Sequence, residues 1–178
     1  QYSTMSVTGG FTLAKATLLE VNVISTLEAA SFPADEAASP EAIRARISEA
    51  GDFFWTYRRS GESELVGFVN GTCTLSEAIR HESMSKHEAS GRTLVVHSVT
   101  ISPNERRKGL GSRMFIQYIQ EMATNTRIDR ILLLSKSDML TFYVDCGFKL
   151  ISLSNVSHGQ DKWFEMGLDL LDLRAVEQ

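Results

Sequence analysis

The chain has 178 residues, of which 43% are hydrophobic and 22% are charged, and its formal net charge is −4. This is the composition of an ordinary globular protein, and the length suits a single domain, residues 1–178, with a substantial core. The negative charge argues against broad attraction to nucleic acid, and no apolar run approaches the roughly 20 residues of a membrane helix. No secretory signal is visible at the start, and Cys73 and Cys146 are the only cysteines. The sequence therefore predicts a cytoplasmic protein with reduced thiols.

Helix and strand patterns alternate along the first half of the chain. Pro33 disfavours helix at the residue before it, so the first helix ends there. Ser39 is a good N-cap, and Pro40 suits the first position of the second helix. The predicted elements are a strand at 10–15, a helix from Thr17 that is broken by residues 31–38, a helix from Pro40 to Gly51, and a hairpin of strands at 53–57 and 65–69.

The second half continues the alternation. Asp138 is a candidate cap for a short helix, since its side chain can accept a hydrogen bond from a free N–H group. The predicted elements are a short helix and loop within 75–92, a strand at 93–101, a helix beginning near Gly109, an apolar strand at 131–134, a helix from 138 to 146, and a closing hairpin of 148–153 and 162–168. Helices interspersed among about seven strands indicate one α/β sandwich.

The turn at residues 106–111 reads Arg-Arg-Lys-Gly-Leu-Gly and joins a strand to a helix. Such a turn exposes unpaired backbone N–H groups and positive charge, which together bind a phosphate or pyrophosphate. The chain has no P-loop motif. The third glycine of a dinucleotide-binding fingerprint is also absent, because Ser112, Arg113 and Met114 follow Gly111.

Two segments carry a family resemblance. Arg106-x-x-Gly109-x-Gly111 resembles the acyl-CoA-binding signature of the GCN5-related N-acetyltransferase (GNAT) superfamily. Residues 138–148, with Phe142-Tyr143 followed by Gly147-Phe148, resemble its late helix and strand. Residues 97–111 resemble the central block of the arylalkylamine (serotonin) N-acetyltransferase family. Residues 81–87 with His97-Ser98, and the early segment 31–39, resemble the non-vertebrate branch of that family. The resemblance implies a three-layer GNAT-like sandwich on a mixed, mostly antiparallel sheet of about seven strands with about four helices.

The resemblance implies acetyl-CoA as cosubstrate and no metal. Strand backbone near Val99 and the first N–H groups of the following helix are expected to hold the coenzyme. Arg107, Lys108 and Arg113 are candidates for meeting its 3′-phosphate or for raising the local potential. The expected coenzyme-binding residues are Val99, Thr100, Ile101, Arg106, Arg107, Lys108, Gly109, Leu110, Gly111, Ser112 and Tyr143.

Two residues are candidates for proton transfer. His97 is the expected general base, because an imidazole has a pKa of about 6.5 and accepts a proton at neutral pH. Strand alternation predicts that His97 shares a side with Val99 and Ile101. Vertebrate members of the family carry a second histidine two residues earlier, where this chain has Val95. Tyr143 is the expected general acid, since a phenol with a pKa of about 10 can protonate a departing thiolate.

The resemblance places Phe32 and Pro33 in a loop over the amine, where Phe32 can stack on an aromatic substrate. Asp35, Glu36 and Glu41 either attract a polyamine or are surface charges. Cys73 and Cys146 are expected to be buried apolar residues, since direct transfer requires no acyl-enzyme.

The predicted function is acetyl transfer from acetyl-CoA directly to a small primary amine, either an arylalkylamine or a polyamine. The alternatives are a protein or peptide N-terminal acetyltransferase, or a CoA-binding domain without activity. The oligomeric state is left open.

Overall fold

One mixed sheet organises the chain. The computed structural model describes residues 5–156 and 161–176. The eight strands are β1 (Met5–Thr8), β2 (Phe11–Lys15), β3 (Trp55–Arg59), β4 (Gly67–Thr74), β5 (Thr93–Ile101), β6 (Arg130–Ser135), β7 (Lys149–Leu153) and β8 (Phe164–Asp169). Their spatial order is β1-β2-β3-β4-β5-β6-β8-β7. The β5–β6 pair is parallel, and the other neighbouring pairs are antiparallel.

Helices cover both faces of this sheet. They are α1 (Val21–Ser31), α2 (Pro40–Ala50), α3 (Leu110–Thr124), α4 (Leu140–Asp145) and α5 (Leu170–Val176). The buried side chains of α1 and α2 form one apolar cluster with Phe54 and Phe68. The apolar stripe of α3, including Met114 and Phe115, forms a larger cluster with the opposite face of the strands. These layers confirm the predicted three-layer α/β sandwich.

The predicted elements are present, with local corrections. Ser39 caps α2 by accepting a hydrogen bond from the Ala42 N–H at 3.2 Å. Asp138 does not cap the late helix, because Lys136 precedes a short 3₁₀ turn there and no side chain caps it. The structure also has the edge strand β1 and the terminal helix α5, which the sequence did not predict. Among the described residues, no helix is both long and apolar enough to cross a membrane.

The two cysteines belong to the core, as predicted. Cys73 and Cys146 are both buried and form no disulfide. Burial raises the pKa of the Cys73 thiol to about 12 and that of Cys146 to about 11. Neither thiol is a thiolate at neutral pH, so neither is suited to be a nucleophile.

Candidate functional site

The parallel strands β5 and β6 separate halfway along their length. They pair from Thr93 opposite Arg130 to Val96 opposite Leu133, and the pairing stops there. Strand β5 continues to Ile101. A cavity of about 530 Å³ lies at this separation and is lined by residues 97 and 99–101 of β5. The edge of β5 that β6 leaves exposed is therefore one wall of the cavity.

The basic turn at residues 106–111 forms the next wall. Arg107 and Gly109 both have positive φ, at 62° and 73°. Gly109 directly precedes α3 in a left-handed conformation, and no side chain caps this helix. The first N–H groups of α3 therefore lie at the cavity without an intrahelical partner. Gly109, Leu110, Gly111 and Ser112 all line the cavity.

Arg106 braces this turn against its surroundings. Its Nε donates to the carbonyl oxygen of Ile101 at 3.0 Å, and its Nη2 donates to Ser31 Oγ at 3.1 Å. The guanidinium thereby joins the end of β5 to the end of α1. A positive charge is held at the mouth of the cavity as a result.

The other three cations of this region point in different directions. Arg107 lines the cavity. Lys108 lies outside the lining, since its Nζ contacts the Asn104 carbonyl oxygen at 3.1 Å and Glu105 Oε2 at 3.0 Å. Arg113 donates to the carbonyl oxygen of Gly9 at 2.9 Å, on the far side of α3. Of the three candidates for a 3′-phosphate, Arg107 is the one on the cavity wall.

Strand β5 carries a bulge at His97. Asn70 of β4 lies opposite Ser98, but the next residue, Gly71, lies opposite Val96. His97 is thus an extra residue without a partner position in the ladder. A bulge of this kind turns side chains away from simple alternation.

The bulge overturns one prediction about His97. Val99 and Ile101 pack against the core beneath α3. Ser98, by contrast, lies 3.4 Å through its Oγ from Glu28 of α1, on the opposite face. His97 contacts Thr72, which points to that same α1 face because its neighbour Cys73 points to the α3 core. The prediction that His97 shares a side with Val99 and Ile101 is therefore wrong.

A hydroxyl group orients the His97 ring. Nε2 lies 2.7 Å from Thr72 Oγ1, and that hydroxyl also lies 3.4 Å from the carbonyl oxygen of Ser83. A Thr72 hydroxyl that donates to Ser83 accepts from the Nε2–H group of His97. In that tautomer, Nδ1 is the basic nitrogen of the ring.

The position of the second histidine is apolar. Val95 is fully buried and packs with Ile79 and Leu132. It lies outside the cavity lining, and His97 is the histidine that lines the cavity among residues 5–156 and 161–176.

Tyr143 lies on helix α4 and lines the same cavity as His97. Its ring meets those of Phe142, Phe115 and Phe148 edge-on or tilted, with centroid distances of 5.0, 5.8 and 6.1 Å. Burial raises the pKa of the Tyr143 phenol, and Cys146 adds to the shift. The phenol is therefore protonated at neutral pH and is a hydrogen-bond donor.

The loop after α1 contributes a further wall. Phe32 and Pro33 both line the cavity, as does Glu36. Glu36 forms an ion pair with Lys136 at 2.7 Å, and its side chain is only 4% exposed. Asp35 and Glu41 are exposed and lie outside the lining.

Sequence reasoning missed several lining residues. Lys136 follows the buried strand β6 at its carboxyl end, where ligands of open α/β sheets bind, and this position was a usable signal. Trp163 had no local signal, because only the pairing of β8 with β6 brings it to the cavity. The missed residues are Ser31, Glu105, Leu134, Ser135, Lys136, Met139 and Trp163.

Glu28 is a second feature that sequence reasoning missed. It lies at a core position of α1, seven residues after Val21, and is 3% exposed. Its Oε1 accepts from the Ala38 N–H at 3.0 Å, and burial raises the pKa of its carboxyl. The contact with Ser98 links this carboxyl to β5 beside His97. A carboxylate on the apolar stripe of a helix was the sequence signal that could have identified it.

Known proteins share this architecture. A structure titled GphF GNAT-like decarboxylase in complex with isobutyryl-CoA superposes with a TM-score of 0.78 and 15% identity, covering 89% of this chain and 98% of that one. A chimera of the spermidine N-acetyltransferase SpeG of Vibrio cholerae and hSSAT gives a TM-score of 0.68 at 12% identity, covering 92% and 98%. Identities this low establish the fold alone.

Sequence comparison gives a nearer relative and a family. Serotonin N-acetyltransferase of Mesocricetus auratus is 26% identical over 109 residues, which cover 61% of this chain and 53% of that protein. The match thus spans about half the length of that curated relative. The model of the acetyltransferase (GNAT) family matches residues 21–148, well over half of the chain. The chain therefore belongs to the acetyltransferase (GNAT) family.

Proposed function

We propose that the protein is an acetyl-CoA-dependent N-acetyltransferase that transfers the acetyl group directly to a small primary amine. The observation that carries this proposal is a single cavity of about 530 Å³ lined by His97, Tyr143, the exposed edge of β5 and the start of α3. Further support comes from the 26% identical relative, which is a serotonin N-acetyltransferase, and from the structural neighbour GphF, which was solved in complex with isobutyryl-CoA.

The turn and β5 are the proposed coenzyme site. The first N–H groups of α3 and the charges of Arg106 and Arg107 suit a pyrophosphate, because a helix N-terminus attracts anions. The backbone of residues 99–101 has no β6 partner and suits the amide groups of the pantetheine arm. The N–H near Val99 is the proposed donor to the thioester oxygen, where negative charge builds during the reaction.

His97 and Tyr143 are the proposed proton-transfer groups. An alkylamine has a pKa of about 10.4 and must lose a proton before it attacks. In the proposed reaction the ammonium first gives one proton to His97, directly or through water. The neutral amine nitrogen then bonds to the acetyl carbon, the carbon–sulfur bond breaks, and Tyr143 donates its proton to the leaving thiolate sulfur. The second proton lost by the nitrogen restores the phenol through water, and His97 releases its proton to solvent.

Different features favour the proposal over each of its two rivals. A CoA-binding domain without activity requires neither a base nor an acid at the thioester end of the cavity. A peptide N-terminal acetyltransferase requires both, together with room for peptide backbone. The ion pair of Glu36 and Lys136 joins two cavity walls at 2.7 Å, which favours a small amine over an extended chain.

Release of free CoA thiol from acetyl-CoA tests the proposal. We expect turnover with phenethylamine, tryptamine or spermidine and little with a panel of N-terminal peptides. Calorimetry with CoA alone is the control for coenzyme binding. Tight CoA binding without turnover of any amine points to the binding-domain alternative, and turnover of peptides alone points to the other one.

A further inference from the structure

Lys136 bridges two walls of the cavity. Its ammonium lies 2.7 Å from Glu36 of the loop after α1 and 2.8 Å from Asp161, which precedes β8. It also lies 5.2 Å from the centroid of the Trp163 ring. Lys136, Glu36 and Trp163 all line the cavity.

This arrangement has the chemistry of a binding site for an organic cation. An aromatic face together with carboxylates is the combination that recognises ammonium groups. Here the chain's own ammonium fills that position. The carboxylate of Glu36, only 4% exposed, is therefore neutralised from within the protein.

The other carboxylates that line the cavity do not offer a substrate cation the same combination of groups. Glu105 is paired by both guanidinium nitrogens of Arg59, at 2.9 and 2.8 Å, and by Lys108. Asp138 is exposed in the short turn before α4, on the side of Tyr143. The cationic residues Arg106 and Arg107 line the same cavity. Of the carboxylates that line the cavity, Glu36 and Glu105 are thus paired with the chain's own cations, while Asp138 lies on the side of α4.

Apolar side chains also line this cavity. Phe32, Pro33 and Leu134 line the cavity together with the ring of Trp163. These side chains offer contact area to an uncharged hydrocarbon or aromatic tail.

We propose that Lys136 determines amine specificity by acting as an internal counter-cation, so that the protein accepts monoamines with an apolar or aromatic tail and rejects polyamines. This inference rests on the proposed function. Specificity of this kind arises from repulsion of the wrong ligand as much as from attraction of the right one.

Replacing Lys136 by Met tests the inference, since methionine keeps most of the side-chain length without the charge. The readout is the ratio of kcat/KM for spermidine to that for phenethylamine, together with the ratio of Kd values measured by calorimetry on the CoA-bound protein. We expect both ratios to move toward spermidine by about tenfold or more, because a desolvated carboxylate then meets the second ammonium. Lys136→Gln is the second variant if the methionine variant folds poorly.

Three further variants serve as controls. Lys136→Arg keeps the charge, and we expect it to retain the preference for phenethylamine. Glu36→Gln combined with Lys136→Met removes both charges, and we expect it to lose most of the gain for spermidine. Lys149→Met makes the same charge change on an exposed lysine outside the cavity and is expected to leave both ratios unchanged.

The outcomes separate this inference from the proposed function. A wild-type protein that already prefers spermidine, or a Lys136→Met variant whose ratios are unchanged, overturns the specificity role while leaving acetyl transfer intact. Absence of turnover with any amine overturns the proposed function. In that case the Kd ratios alone decide whether Lys136 excludes a second ammonium.

Discussion

His97 owes its place to a bulge and to one hydroxyl group. The bulge turns it toward α1, and Thr72 Oγ1 holds Nε2 at 2.7 Å. Val95 occupies the place of a second histidine and is packed in an apolar cluster. The proposed base role of His97 therefore does not draw on a histidine at position 95.

Replacing His97 by Ala is expected to lower kcat/KM by roughly 100-fold at pH 7, the lower end of the range for a general base. The loss should grow at lower pH, since only amine that is already neutral can then react. The measurement is the pH profile of kcat/KM from pH 6 to 9.5 for the wild type and the variant. Parallel profiles at all pH values contradict the assignment of His97 as base.

Tyr143→Phe removes one hydroxyl from a ring that three phenylalanines hold in place. We expect kcat to fall by about 100-fold, while KM for acetyl-CoA changes by less than about threefold. Burial raises the pKa of this phenol. Ionisation of Tyr143 should therefore cause no decline in the kcat of the wild type below pH 10. Steady-state kinetics and the alkaline pH profile measure both effects. A variant that loses coenzyme affinity but keeps kcat assigns Tyr143 to binding alone.

Glu105 lines the cavity and anchors the basic turn from its wall. Hydrogen bonds from Arg59 and then Lys108 lower the pKa of its carboxyl to about 2. A depressed folded pKa contributes stability above the ordinary value of 4.5, and this contribution is lost as pH falls toward 2.

Glu105→Gln is thus expected to lower the Tm at pH 7. Near pH 2 the variant is expected to have the same Tm as the wild type. Thermal melts at several pH values between 2 and 7 measure the difference. A Tm difference that stays constant across this range contradicts the role of the ionised carboxyl.

At the scale of elements, the start of α3 depends on an unusual backbone. Gly109 has φ 73°, and a Cβ added there would meet no atom within 4 Å. The need for glycine at this position is therefore conformational. A β-carbon in the left-handed region costs about 1 kcal/mol.

Gly109→Ala is expected to destabilise the protein by about 1 kcal/mol and to raise KM for acetyl-CoA, because the turn and the first N–H groups of α3 shift together. Gly111→Ala is the matched control for stability, since its Cβ would make an ordinary contact at 3.4 Å with the Phe142 ring. Chemical denaturation measures the stability of both variants, and coenzyme titration measures the KM effect of Gly109→Ala. Equal losses of stability in the two variants contradict a conformational role specific to Gly109.

Strand β5 shows how much an element's sequence can predict. Its bounds, 93–101, were predicted correctly, since an apolar run between turns indicates a buried strand. The faces on which its side chains lie were not predicted correctly, because the bulge at His97 arises from the pairing with β4. A bulge involves two strands and leaves little signal in one of them.

At the scale of the whole molecule, the cavity lies between walls that are distant in the chain. Strand β5 and the turn after it face the end of β6 and helix α4 across the cavity. A coenzyme bound between these walls stabilises the folded state by linkage.

CoA at about 100 times its Kd is expected to raise the free energy of unfolding by about 2.7 kcal/mol. Thermal melts across a CoA titration, compared with the Kd from calorimetry, measure this effect. A saturating concentration that leaves Tm unchanged contradicts coenzyme binding to the native state. This prediction holds whether or not the protein has activity.

The sequence by itself determined the local parts of this protein. The cap at Ser39, the positive-φ turn ahead of α3 and the apolar stripe of that helix follow from short-range sterics and hydrogen bonding. The order of these parts predicted an α/β sandwich, and the family resemblance placed His97, Tyr143, Phe32 and the turn in one candidate site. His97, Tyr143, Phe32 and every residue of the turn except Lys108 line one cavity.

Only the tertiary structure decided what surrounds them. Trp163 reaches the cavity because β8 inserts between β6 and β7, and Lys136 meets Glu36 across 100 positions of sequence. The face of His97 and the burial of Glu28 likewise depend on neighbouring strands and helices. Such contacts are set by packing between elements, and the local spacing of residues carries little trace of it.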